Sequence, residues 1–220
     1  MATVLERRTT PRGEVVLRRD GGELEVIANG VFLMSTAGGG ASERLLVMEA
    51  LRGLGASVHL LLGGLGVGFS LVEALRHPCV QRVTVVEVEE AVIAWHQTYL
   101  REMTAAAIED PRVEVVHADL LDWLDGAGVE VDAACLDIDN GPDWTVVPGN
   151  VRLYSDAGLE ALAVVLAPHG ALSVWSSAAA EAFERRLRRR FGTVEVHTVP
   201  AQRGDADHVY VARGPIGGKD

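Results

Sequence analysis

Two cysteines in 220 residues are too few for a disulfide framework. Cys79 and Cys135 both sit in apolar settings, which fits a reducing compartment. No apolar run approaches the length of a membrane span, and the opening MATVLERRTT is too polar for a secretory leader. A cytoplasmic chain without membrane contact is therefore expected. Internal repeats and low-complexity segments are also absent. Positive charge is scarce: 20 basic against 31 acidic side chains leave a formal net charge of −11. Such a surface repels phosphate backbones, which argues against nucleic acid and favours a small cationic or neutral partner. The seven histidines show no close pair at helical or finger spacing, so no metal site is expected.

What is present suits one domain with a complete core, since 48% of the residues are hydrophobic and 23% charged. Residues 1–13 read as a loose polar arm. Two β-like runs, Glu14–Arg19 and Glu23–Ala28, flank the turn Asp20-Gly21-Gly22, and Asn29-Gly30 leads into a third, Val31–Ser35. This predicts an antiparallel meander, with the arm, over 1–40. Glycines 38–40 end it, and Ser42 is placed to cap a helix through about Arg52.

From Val58 the pattern alternates between short apolar runs and segments of helical spacing. The runs VHLLLGG, RVTVVEV, RVEVVHA, VDAACLDI and GALSVWSS read as parallel strands buried on both faces. Helices are expected over 67–76, 89–101, 119–125, 155–167 and 178–190. Thr193–Val199 and His208–Arg213 form a last hairpin around a Gly- and Asp-containing turn. The main domain is expected over 41–214, with a flexible tail at 215–220. By analogy this is an α/β fold of Rossmann-like, class I methyltransferase type, with a C-terminal antiparallel hairpin and the small β-meander in front.

Open α/β sheets bind ligands at the C-terminal ends of their strands. The first strand runs into Gly63-Gly64-Leu65-Gly66-Val67-Gly68, where glycines permit a sharp turn and close approach of a ligand; tight packing is the alternative. No Gly-Lys-Ser/Thr follows, which excludes a P-loop. The next strand ends at Glu87, about twenty residues on, the spacing at which such domains place an acid on ribose hydroxyls. Glu89 and Glu90 read as helix-start carboxylates. The third ends at Asp119, able to accept from an adenine amino group and to cap the helix beginning at Leu120. The fourth ends in Asp137-Ile138-Asp139-Asn140-Gly141-Pro142-Asp143-Trp144, where carboxylates beside an aromatic face favour an amine. His117 reads as structural despite its position, Trp95, Trp123 and Trp175 as core, and the RRLRRR run at 185–190 as a solvated helix face.

Through LLLGGLGVG, VVEVEEAVI, DPRVEVVHAD and LDIDNGP, the chain from about Gly13 to Arg213 resembles the spermidine synthase family and its methyltransferase-like relatives. The resemblance implies an S-adenosyl nucleotide held by Gly63, Gly64, Gly66, Gly68, Glu87, Val88, Asp119 and Leu120. Asp137 becomes the acid/base candidate, Asp139, Asn140 and Trp144 shape an acceptor pocket, and the meander serves a homodimer contact or a lid. Three departures stand out. Gly66 replaces an Asp that pairs with the amine of decarboxylated S-adenosylmethionine in the family. Asn140 replaces a second carboxylate, and Ser42-Glu43-Arg44-Leu45 carries no match to the family's Tyr-His pair. Losing a carboxylate that pairs with a buried amine is costly. The expectation is therefore a methyltransferase using S-adenosyl-L-methionine on a small amine or hydroxyl acceptor. The alternatives are an aminopropyltransferase using the decarboxylated nucleotide, or a non-catalytic nucleotide-binding protein.

Overall fold

Two sheets share one apolar interior. The first is antiparallel in the order β1-β2-β3-β4, from β1 Thr3–Thr10, β2 Gly13–Asp20, β3 Glu23–Ala28 and β4 Val31–Ser35. The computed structural model describes residues 2–126, 128–201 and 205–216. The second sheet contains β5 Val58–Gly63, β6 Val80–Glu87, β7 Val113–His117, β8 Val131–Leu136, β9 Leu166–Ser176, β10 Phe191–Val199 and β11 Asp207–Pro215. Its order is β10-β11-β9-β8-β5-β6-β7; β11 runs antiparallel between β9 and β10, and the other neighbouring pairs are parallel.

The inner parallel strands β5, β6, β8 and β9 are largely buried, so their runs are apolar on both faces; β7, read from sequence as buried too, is an edge strand with no fully buried residue. Leu60, Leu61 and Leu62 of β5 are essentially inaccessible. Helices α1 Ala41–Leu51, α2 Phe69–Arg76, α3 Glu90–Gln97, α4 Leu120–Gly126, α5 Asp156–Val165 and α6 Glu181–Arg190 supply the crossovers and flanks. The small sheet contributes Val15, Leu17, Leu24, Val26 and Ala28 to the same core as Leu60, Leu62 and Val83. No helix among the described residues is long and apolar enough to cross a membrane.

Three local expectations are corrected. The polar arm is not loose: residues 3–10 form β1, paired with β2 from Thr3↔Arg19 to Thr10↔Gly13 with one register shift between Val4 and Glu6. An exposed edge strand tolerates charge, so its polarity hid it. Ser42 does not cap α1, whose N-cap is Gly40 in the left-handed region; its hydroxyl turns elsewhere. Trp175 is only partly buried, and its indole N–H points at Ser42 rather than into the core. The hairpin turn between β10 and β11 and the tail fall partly outside the described residues, at 202–204 and 217–220.

Candidate functional site

The first cleft lies where β5, β6 and β8 end. Gly64 donates from its backbone to Val86 O at 2.9 Å, and Asp137 N to Gly63 O at 2.9 Å, so turn and strand ends are tied together. A Cβ on Gly64, at φ +92°, would strike the Asp137 carbonyl, so only glycine brings these backbones this close. Gly64 and Gly66 line the cleft; Gly63 packs against Leu120 and Leu136, and Gly68 against His96 and Thr104.

Glu87 is 7% exposed at the end of β6. Its Oε2 accepts from Leu65 N at 2.8 Å and its Oε1 from Glu89 N at 2.7 Å. Burial raises its pKa, against these hydrogen bonds. The carboxylate lines the cleft, where it can accept from a ligand hydroxyl. Val88 and Leu120 line the same cleft. The exposed His117 ring meets Val88 O at 3.0 Å.

Asp119 receives Leu121 N at 2.9 Å as a helix cap and Arg12 Nη2 at 2.6 Å as an ion pair. Burial works against its charge, but Arg12 and the backbone donors prevail and lower its pKa. With Arg12 at its edge, the cleft encloses about 120 Å³. Sequence reasoning missed Arg12 because its partner lies 107 positions away.

Asp137 accepts from Ser70 Oγ at 3.2 Å. Burial, reinforced by the charges of Glu43, Asp207 and Glu87, pushes its pKa up to about 7. A carboxylate so placed can take up a proton near neutrality.

Beside it opens a second cavity of about 670 Å³, lined by Ser42, Glu43, Asn140, Trp144, Trp175 and Asp207 among others. Ser42 Oγ lies 2.7 Å from Asp207 Oδ2 and 2.9 Å from Glu43 Oε2, and accepts from Trp175 Nε1 at 3.0 Å. Burial raises the pKa of both carboxylates. Trp144 stands 57% exposed on the cavity wall. Glu43 and Asp207 had no local signal: they sit on a helix and a strand 164 positions apart that meet only through the fold.

Asp139 has a task different from the expected one. Its oxygens accept from Asn140 N, Val146 N, Val147 N and Asn150 Nδ2 at 2.6–3.0 Å. It staples the loop after β8 and has little left to offer a substrate. Elsewhere, Glu49, Glu195 and His197 gather their ligand atoms within 4.8 Å, but Arg52 pairs with both carboxylates, at 2.7 and 2.6 Å.

Gly66 does not leave open space. Met34 of β4 fills the place a side chain would take, its Sδ 2.5 Å from where a Cβ would stand and 3.1 Å from the Val67 N–H it accepts.

The chain matches the spermine/spermidine synthase domain over residues 38–182. The polyamine aminopropyltransferase of Mycobacterium tuberculosis (strain H37Rv) is 34% identical over 174 residues, 78% of this chain and 32% of that protein. Polyamine aminopropyltransferase 1 of Streptomyces coelicolor is 32% identical over 180 residues, 79% of this chain and 33% of that one. The chain thus spans about a third of the length of these relatives. Among solved structures it is similar to a spermidine synthase in complex with the transition state analogue AdoDATO, at TM-score 0.81 and 18% identity, covering 96% of this chain and 73% of that one. Spermidine synthase from Thermotoga maritima gives TM-score 0.77 at 17% identity, covering 96% and 72%. These two likenesses bear on the fold alone, and agree with the class expected from sequence. The family match and the named relatives overturn the expectation of a methyltransferase using S-adenosyl-L-methionine itself.

Proposed function

Because the chain belongs to the spermine/spermidine synthase domain family, we propose that it transfers an aminopropyl group from a decarboxylated S-adenosyl nucleotide to an amine. The observation that carries this reading is the buried Asp137 carboxylate. It lines the nucleotide cleft and also feels the charges of Glu43 and Asp207, which line the neighbouring acidic cavity.

The first cleft fits an adenosine moiety in kind. Glu87 offers a carboxylate to ribose hydroxyls, Asp119 a carboxylate to an amino group, and Val86, Ile138 and Leu153 an apolar floor. The nucleotide supplies an electrophilic carbon beside its sulfonium. The chain's own work is to position an amine, exclude water and accept a proton. An amine is protonated near neutrality and cannot attack until it loses a proton. Asp137, with a pKa of about 7, is matched to that transfer. The amine then forms a C–N bond as the C–S bond breaks, releasing a neutral thioether nucleoside.

The test is to incubate the protein with decarboxylated S-adenosylmethionine and a panel of amines, following the products by mass spectrometry. The expected result is an acceptor enlarged by one aminopropyl group together with methylthioadenosine. Methylated acceptor from intact S-adenosylmethionine, or no product from any amine, would count against the proposal.

A further inference from the structure

One peptide of the glycine turn is held at both ends by side chains from other elements. The Gly66 carbonyl accepts from His96 Nε2 of α3 at 2.9 Å, and the Val67 N–H of the same peptide donates to Met34 Sδ of β4 at 3.1 Å. In a trans peptide the C=O and N–H point opposite ways, so the two contacts fix its plane together. The two ends are unequal. A thioether is a weak acceptor on a flexible chain, whereas the His96 ring is fully buried. A carbonyl can only accept, so Nε2 carries the ring proton. Burial, acting against that hydrogen bond, lowers the ring's pKa and keeps it neutral at pH 7.

Stability alone gives a poor account of this histidine. Its Nδ1 is buried without a partner, a cost that offsets much of what the bond to Gly66 contributes. The ring also constrains the turn, since a Cβ on Gly68 would lie 2.6 Å from its Cε1 and 2.8 Å from Thr104 Cγ2. What the ring secures is a position on the wall of the first cleft, which Gly66 lines. Leu65 N–H donates to Glu87, Val67 N–H to Met34 and Gly68 N–H to Leu65 O, while Gly66 N–H has no acceptor among the described residues. Without the histidine, a peptide that follows a glycine at φ +49° has little else to stop it rotating, and the backbone that a ligand meets would rotate with it.

We propose that His96 is a positioning residue for the nucleotide: by holding the Gly66 carbonyl inside the protein, it fixes the turn so that the Gly66 N–H is offered to an acceptor atom of the bound nucleoside. This rests on the reading of the first cleft as the nucleotide site, and adds to that site a side chain that does not line it. His96 itself touches no reactant.

The test titrates methylthioadenosine calorimetrically into the wild type, His96→Leu and His96→Gln. Leucine fills the space without a donor, and glutamine returns an N–H near the place of Nε2. His96→Leu is expected to bind about fivefold more weakly, roughly the value of one hydrogen bond, and His96→Gln to recover most of the loss. A packing role alone would lower the melting temperature of both variants and leave affinity unchanged below the melt. In the wild type, nitrogen-15 NMR is expected to show the His96 ring protonated at Nε2 alone at pH 7, and the Gly66 amide shifted on saturation with methylthioadenosine. Unchanged affinity in His96→Leu, no recovery in His96→Gln, a ring protonated at Nδ1, or an unshifted Gly66 amide overturns the proposal. The two wild-type readings need no variant to fold. No methylthioadenosine binding by the wild type defeats the nucleotide reading and this proposal with it. Binding that depends on His96, without aminopropyl transfer, supports the positioning role while the reaction assignment fails.

Discussion

Arg12 and Asp119 meet at 2.6 Å across the mouth of the first cleft, joining the turn between β1 and β2 to the end of β7. Arg12 also reaches Asn150 at 3.4 Å, and Thr10 reaches Glu89 at 3.3 Å, so polar contacts add to the apolar packing of the small sheet over the cleft. An adenine amino group bound at Asp119 must compete with that guanidinium. Both side chains retain over a fifth of their exposure, which keeps the pair's strength modest.

Arg12→Ala is therefore expected to tighten methylthioadenosine binding by about two- to fivefold, the equivalent of a partly exposed ion pair. Isothermal titration of both proteins measures it. Weaker binding in the variant would mean that Arg12 belongs to the nucleotide's own set of contacts.

The sheet order was legible because its signals are local, and several residues that line the first cleft could be named for the same reason. Apolar runs at β5 to β9, glycines after β5, and acids ending β6 and β7 lie within a few residues of the features they announce. The acidic cavity was not legible. Ser42 looked like a helix cap and Trp175 like core, yet the two meet 133 positions apart, and Asp207 joins them from the last strand. Asp139 was misread for a related reason. Its loop is rich in polar residues, and only the folded path, with Asp139 at φ +61°, turns the following backbone N–H groups onto one carboxylate.

Gly66→Asp is expected to destabilise the protein by about 1–3 kcal/mol rather than recreate an amine-binding carboxylate. The residue stands at φ +49°, and its Cβ would meet the Met34 sulfur. Thermal melts should show Met34→Ala restoring part of the loss when combined with it, since the clash is with that side chain. No loss in the single variant would show that Met34 swings aside freely.

Asp139→Ala is expected to cost about 2–4 kcal/mol, because it leaves several loop donors without their acceptor and places a Cβ residue in the left-handed region without a polar side chain. The loop begins at Asp137 and ends in the turn that leads to Tyr154, whose hydroxyl donates to Ile138 O at 2.6 Å. Acceptor affinity should fall together with the melting temperature, while nucleotide affinity changes less. Chemical denaturation and titrations of both ligands separate these effects.

Asp137 yields a prediction in pH, and its sign follows from burial. Its folded pKa of about 7 lies above the ordinary carboxylate value of 3.8. Between those values the unfolded chain has released a proton that the native protein still holds, so this group makes stability fall as pH rises through the window. Below 3.8 both states are protonated and the penalty vanishes; above about 7 it is complete and constant. Asp137→Asn removes the titrating group, so the variant should gain stability over the wild type at pH 8 and little at pH 4. Catalysis runs the other way, because only the ionised carboxylate can take the amine's proton. The wild-type kcat/KM should therefore rise with pH through a limb near 7, and Asp137→Asn should lose both that limb and most of the turnover while still binding nucleotide. Denaturation midpoints at the two pH values and a pH–rate profile test the two halves separately. A variant that is no more stable at pH 8, or that keeps the limb, would mean that another group carries the proton.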